Sequence, residues 1–520
     1  DLATLDLIQR RNHILRAAMD ALPPASRQLL STLALLSESV DYETLCAFDP
    51  HDPPDANKLA ETVTNLEQCG LLQYDGRTRR HDLHPVVRGV AAGGMQAEEK
   101  ERYGLRVVDH FSSLPHSPYE QAETLEDLRS GLHVVRTLLK LGRFQQAAYA
   151  YRGGLSNALS FNVGAFSEAL SLLRAFFSDG WGEPPEGVNV HLASYLMNDA
   201  AITLDNSGEP QAQAAFGAAL RFDLETQNWS EMNRVLINIS LSLRSLNLLT
   251  KTLRVDAMAL DLATERGDQE DLFLGRVIRF TEQCRIGQWA EADATWELLK
   301  SMGDGWTRTA YRSGAAEGCY AQFQYWNGRL QEEHLATAER LAAEGKSRTE
   351  IRVLHGLRGA WRLEQCEWAL AAESFAEAVR MARESGIAGA GSETGLALAK
   401  HHLGQLAEPQ REAERLAQLR QPAHRLLAQL WLALGDAEQA KHHALAAYRW
   451  AWADGEPYVH RYELTRTTEL LQQMNVPIPN PPPYDPAKDE PFPWEADVRA
   501  AIEKLKAEKE ARESEGSVGE

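Results

Sequence analysis

One spacing constrains this chain more than any other feature. Short turns recur at Leu141-Gly142-Arg143-Phe144, Ile286-Gly287-Gln288-Trp289, Asn327-Gly328-Arg329-Leu330, Leu403-Gly404-Gln405-Leu406 and Leu434-Gly435-Asp436-Ala437. With Cys366 taken as the turn of the clearest unit, residues 363–378, successive turns from Gly287 onward lie about 31 to 41 residues apart. Inside that unit Trp368, Ala371, Phe375 and Ala378 stand at the spacing of a turn followed by a second helix. Small residues let paired helices approach, and aromatic rings fill the groove between neighbours. Residues 100–470 read as almost wholly helical, which makes the array an α-solenoid. The irregular intervals imply insertions or longer helices.

The period is close to the 34 residues or so of the tetratricopeptide repeat, and the 363–378 unit resembles that repeat. The fold expected is all-α: a tetratricopeptide-like solenoid preceded by a small winged helix with a β-hairpin. Three parts follow, namely 1–98 with its linker, the repeats at 99–475, and a Pro-rich segment, capping helix and charged tail at 476–520. In the first part helices are expected at 14–22, 26–36, 42–48 and 56–69, where Leu59, Val63 and Leu66 keep helical spacing. Residues 71–74, a turn at Asp75-Gly76, and 77–83 read as the hairpin.

The run GRTRRHDLHPVVRGVAA at 76–92 carries a more specific likeness. Leu83-His84-Pro85 leads into a helix with Val86, Val87, Val90 and Ala91 on its apolar side and Arg88 four residues after the His. This resembles the end of the winged helix in STAND ATPases, the class holding NB-ARC and NACHT switches. The resemblance implies that His84 reads the phosphate of ADP in the intact protein and helps hold the switch off. It implies no cofactor in this chain itself, with ADP or ATP bound by a separate nucleotide-binding module. Residues 426–464 and 484–505 also look like the ends of bacterial tetratricopeptide proteins joined to STAND or TIR-type effectors.

A phosphate loop needs GxxxxGK[ST] between a strand and a helix. Gly345-Lys346-Ser347 has Arg340 where the first glycine should stand, and helix on both flanks, so it reads as one helix's stop and the next one's start. The chain begins with Asp1, as expected of a fragment of something longer. With 54 Lys and Arg against 74 Asp and Glu, the net charge is −20. Such acidity argues against DNA and anionic membranes as partners. The fourth helix bears Lys58 but also Glu61 and Glu67, with Asp55 at its start, the wrong sign for reading DNA. Cys46, Cys69, Cys284, Cys319 and Cys366 form no CxxC pair, which fits a reducing cytoplasm.

No HExxH, GxSxG or spaced Cys/His arrangement is present, so no enzyme activity and no metal site are expected. The pairs His401-His402 and His442-His443 point about 100° apart on a helix, unlike ligands three or four residues apart. For binding, the candidates are polar residues of the repeats' first helices: Asn198, Arg234, Asn238, Arg244, Arg276, Arg279, Tyr320, Arg358 and Arg362. Arg276 with Arg279, and Arg358 with Arg362, share helix faces. They read either as ordinary ion pairs with nearby carboxylates or as an electropositive groove for an acidic segment of a protein trigger. The function expected from the resemblance is the sensor of a bacterial antiviral switch, with oligomerisation on activation. The alternatives are the arm of a small-molecule-sensing transcription regulator, or a tetratricopeptide scaffold.

Overall fold

The computed structural model describes residues 7–302, 314–385 and 389–516. The head consists of α1 (Leu7–Asp20), α2 (Pro24–Leu35), α3 (Tyr42–Ala47), α4 (Ala56–Gln68), β1 (Gln73–Asp75), β2 (Arg80–Asp82) and α5 (Pro85–Gly94). Its boundaries follow from local chemistry. Pro24 sits in the first turn of α2, where its missing N–H costs nothing. Asp41 caps α3 by accepting from the Thr44 N–H at 2.8 Å, and Asp55 caps α4 through Asn57 and Lys58. The hairpin pairs Tyr74 with His81, and an antiparallel bridge from Val40 to His81 adds a third strand position. The head thus runs as two helices, a bridge, two helices, a hairpin and a fifth helix. Leu29, Leu30 and Leu33 of α2 close the core with Leu59, Val63, Leu66, Val87 and Val90. Each such buried aliphatic contributes about 1.5–3 kcal/mol.

Beyond α6 (Ala97–Ser113) the helices come in antiparallel pairs. They begin with α7 (Arg129–Lys140) and α8 (Phe144–Tyr151). An irregular stretch follows, holding α9 (Gly154–Asn157), a π-helical turn at Ala158–Val163 and α10 (Phe166–Leu173). The pairs resume as α11 (Val190–Asn206) with α12 (Ala212–Thr226), and α13 (Trp229–Ser245) with α14 (Leu249–Arg266). Next are α15 (Gln269–Ile286) with α16 (Trp289–Ser301), and α17 (Ala315–Trp326) with α18 (Glu332–Glu344). Then come α19 (Arg348–Glu364) with α20 (Trp368–Glu384), and α21 (Ala390–His402) with α22 (Pro409–Ala417). The last pair, α23 (His424–Ala433) with α24 (Ala437–Trp452), precedes α25 (Arg461–Gln473) and α26 (Glu495–Gly516). From α11 to α23 each first helix touches the first helix of the next pair, so these helices line the concave face.

The turns read from sequence are left-handed in fact: φ is 72° at Gly142, 80° at Gly287, 71° at Gly328, 67° at Gly404 and 83° at Gly435. Cys366, standing where glycine is usual, adopts φ 59°. Gly208 and Asn247 make two further such turns that lacked a recognisable motif. Phe375 explains two helical glycines. A Cβ on Gly359 would lie 2.7 Å from its ring and one on Gly395 only 2.4 Å, so the ring is wedged between α19 and α21.

Long-range contacts give the superhelix its pitch. Lys346 meets Glu123, Ser385 meets the Val163 carbonyl, Arg420 the Gly208 carbonyl and Asp454 Thr250. These pairs lie 223, 222, 212 and 204 residues apart. One turn therefore takes about six repeats of roughly 34 residues, and the second turn stacks on the first.

The C-terminal helix corrects one expectation. It does not cover the last repeat; it lies against α12 and α14, a whole turn earlier in sequence. The Pro-rich segment carries it there: the Trp452 indole donates to the Pro482 carbonyl at 3.0 Å and the Tyr484 N–H to Glu456 at 3.1 Å. Trp494, Val498 and Ile502 then join the first turn's core, and Arg254 pairs with Asp489 at 2.8 Å. The helix also continues past Lys506 into the charged tail, with Lys509 reaching Glu265 at 3.5 Å.

Candidate functional site

The head and the first repeat are joined by a concentrated electrostatic contact. Five cationic side chains converge on residues 35–39, at the end of α2. Arg88 of α5 donates to the Ser37 carbonyl, and Arg80 of β2 donates to that of Ser39. From α7, Arg129 donates to the Ser39 carbonyl at 2.7 Å, and Lys140 donates to the Leu35 carbonyl at 2.7 Å and the Ser37 hydroxyl. Arg136 bridges Glu38 and Glu168. Cations at a helix C-terminus complement its dipole and its unpaired carbonyls. Burial, with Arg88 and Arg136 nearby, brings the Lys140 ammonium down to about 8. Burial also opposes the charge on Arg136, yet its two carboxylates hold the guanidinium above its ordinary range.

His84 is exposed at the start of α5, one turn from this contact. Its Nδ1 accepts from the Val86 N–H at 3.2 Å, so Nε2 is the nitrogen left facing outward. Arg88 is occupied by Asp82 at 2.5 Å. Lys346 of the Gly-Lys-Ser run is no phosphate ligand: its ammonium holds Glu123 at 2.9 Å across the two turns, and the run joins α18 to α19.

The nine groove candidates do not converge. Asn238 donates to Asn198 at 3.0 Å between α13 and α11. Arg234 pairs with Glu231 on its own helix, and Arg244 pairs with the buried Glu282 at 2.5 Å. Arg276 turns toward the Met302 sulfur, and Arg279 is exposed. Tyr320 stacks on Trp296 with centroids 4.3 Å apart, facing α16 rather than the concave side. Arg358 grips Glu339 with two bonds, at 3.0 and 2.8 Å, and also reaches Glu332; Arg362 holds Glu332 and Glu367. Glu332 and Glu339 belong to α18, so these arginines knit successive repeats together. The ion-pair reading prevails over the electropositive groove because each Arg of that pair has its carboxylates within one repeat. Of the paired histidines, His402 stacks on Trp368 and His443 faces His424, Nδ1 to Nδ1 at 2.9 Å.

What periodicity could not locate is a cavity of about 910 Å³ in the lumen of the second turn, among α17, α19, α21, α23 and α25. It forms because α25 packs on α24 and also reaches back to α15, α17 and α19. Tyr462 of α25 hydrogen-bonds Tyr325 at 2.7 Å and Glu364, while Trp326 meets the His460 ring edge-on. Arg425 makes a two-bond pair with Glu463 at 2.6 and 3.1 Å. Burial would push the Glu463 carboxyl up, but Arg425 brings it below its ordinary value. Burial, reinforced by Arg285, drives the His460 imidazole down to about 3, so it stays neutral. In sequence the site shows only as aromatics such as Tyr325, Trp326 and Trp450, and at helical spacing such rings more often pack between repeats.

Among the described residues no helix is long and apolar enough to cross a membrane. No protein-family model and no curated protein matches the chain. Among solved structures it is similar to a STAND protein with a tetratricopeptide repeat sensor from Pyrococcus horikoshii. The identity is 14% and the TM-score 0.41, over 86% of this chain and 66% of that one. It thus spans just under two thirds of that protein's length. A circular tandem repeat protein aligns over 97% of this chain and 100% of its own, at 13% identity and a TM-score of 0.15.

Proposed function

We propose that this chain is the sensing arm of a STAND-type switch. In this reading the solenoid receives a protein trigger and the head relays the event to a separate module that binds ADP or ATP. The setting is bacterial antiviral defence in the cytoplasm, with oligomerisation on activation and with catalysis left to the other module. The observation carrying this reading is the head–repeat junction. Arg129, Arg136 and Lys140 of the first repeat hold the same short loop as Arg80 and Arg88 of the head. A displacement of α7 therefore acts on α5 and on His84 at its start, rather than dissipating in a linker. The exposed Nε2 suits a phosphate presented from outside the chain.

The test uses the protein carrying its nucleotide module. His84→Ala raises basal nucleotide hydrolysis in this account, and His84→Asn, which keeps a helix-capping side chain, raises it as well. The isolated chain shows no micromolar affinity for ADP or ATP by calorimetry. Resting hydrolysis unchanged in both variants would reduce His84 to a helix cap and sink the switch reading.

A further inference from the structure

The lumen cavity has a chemical bias that differs from an electropositive groove. Among the described residues its charged lining comprises the carboxylates of Glu364, Glu463 and Glu469 and the guanidiniums of Arg425 and Arg466, with no lysine. Arg425 is consumed by Glu463, and Arg466 is shared between Glu364 at 3.0 Å and Glu469 at 3.2 Å. The carboxylates keep the surplus, and Glu469 remains more than half exposed.

Two further observations point the same way. Uncovered aromatic surface faces this space: Trp450 is 46% exposed, with Trp326 and Trp368 also in the lining. Two lining residues also carry buried polar atoms that no described residue satisfies. His460 is 3% exposed and its Nδ1 has no partner; the buried amide oxygen of Gln429 has none either. Carbonyl oxygen, neutral imidazole nitrogen and carboxylate all accept hydrogen bonds, and indole faces attract cations. A ligand complementary to the surplus carboxylates and the indole faces is a cation rich in N–H donors.

We infer that the lumen binds a short basic peptide segment, whose Lys or Arg side chains meet the indole of Trp450 and the carboxylate of Glu469 at separate points of the lining. This rests on the lumen being the sensing surface of the proposed switch, and it reverses the sign of ligand expected from the arginines alone. The volume is several times that of one side chain and lies in the range of pockets that enclose a drug-sized ligand, so flanking residues fit too. Arg supplies a planar donor fork that matches a carboxylate such as Glu469.

The test titrates the full chain with fluorescein-labelled Gly-Ser peptides carrying a central Arg-Arg or Glu-Glu pair, and separately with spermidine. Anisotropy and tryptophan quenching are read. The Arg-Arg peptide binds and quenches, and added salt weakens it. Trp450→Ala and Glu469→Gln, both exposed changes checked for folding by circular dichroism, each lower its affinity about tenfold. The Glu-Glu peptide binding as tightly, or both variants retaining full affinity, overturns the inference. Spermidine binding more tightly than the peptide also overturns it, in favour of a free polyamine site. Failure here with raised hydrolysis in His84→Ala removes only the ligand class; unchanged hydrolysis with peptide binding intact removes the switch and leaves the site.

Discussion

The two turns of the superhelix are built from the same repeat but packed differently. The first has one continuous core, from Ala122 through Ile278, completed by Trp494, Val498 and Ile502 from the C-terminal helix. Beyond it the interior divides into separate clusters, around Phe280 and Tyr325 late in the first turn and around Phe375 and Tyr448 in the second, with the lumen cavity among the inner helices. Their buried titratable groups differ too. In the first turn Ser194 pairs with Asp223 and Ser240 with Asp256. In the second, His443 faces His424 and His460 lies between Trp326 and Trp450. A continuous core resists deformation, whereas small clusters joined by ion pairs can shift relative to one another. The first turn is suited to be a platform and the second to respond.

The largest effect tests whether the tail belongs to the platform. Ending the chain after Asn475 strips Trp494, Val498 and Ile502 from the first turn, at roughly 1.5–5 kcal/mol each. Hydrogen exchange should then quicken first in α12 and α14, far away in sequence. Faster exchange confined to α23–α25 would mean that the tail serves the last repeat instead. Next in size is Phe375→Ala, expected to cost about 3–5 kcal/mol because two glycines were shaped around the ring. Thermal melts should show the loss in the second turn, with the first turn's exchange unchanged.

A smaller effect separates the turns by pH. Burial raises Asp223 and Asp256 to about 7. The folded state therefore holds these protons where the unfolded chain has released them, and that stability is lost as pH rises from about 4 through 7. Burial lowers His443 to about 4 and His460 to about 3. There the unfolded chain takes up protons first, so stability is lost as pH falls below about 6.5. Moving from pH 7.5 to about 5.5 should strengthen the first turn and weaken the second, by about 1–2 kcal/mol per group. His133, brought to about 4 by burial beside the head, opposes the trend at that end alone. Exchange rates corrected for intrinsic pH effects would show it, and parallel shifts in both turns would break the contrast. The smallest effect is on ligand capture. Changing Arg358 and Arg362 to Gln should leave peptide binding within twofold, since their partners lie toward α18, and lower stability by about 1 kcal/mol.

Sequence alone determined the pairs of helices, their left-handed turns and the head's element order, because these follow from nearest-neighbour rules. A Gly or Cys at a positive φ, a Pro in a first turn and an Asp before a helix act within a few residues. Phe375 and Ala371 could be placed between helices for the same reason. The groove was not legible. Whether Arg358 faces a lumen or a neighbouring carboxylate depends on small rotations between repeats, which no single unit encodes. Those rotations accumulate over roughly five to six repeats before Thr250 meets Asp454, and over about three to four before α25 closes on α17 and α19. Only that closure made the cavity, turned the C-terminal helix back onto the first turn, and brought three carboxylates and an exposed tryptophan into one lining. The local pattern repeats whatever the final curvature, so the repeat could be read from the chain and the site could not.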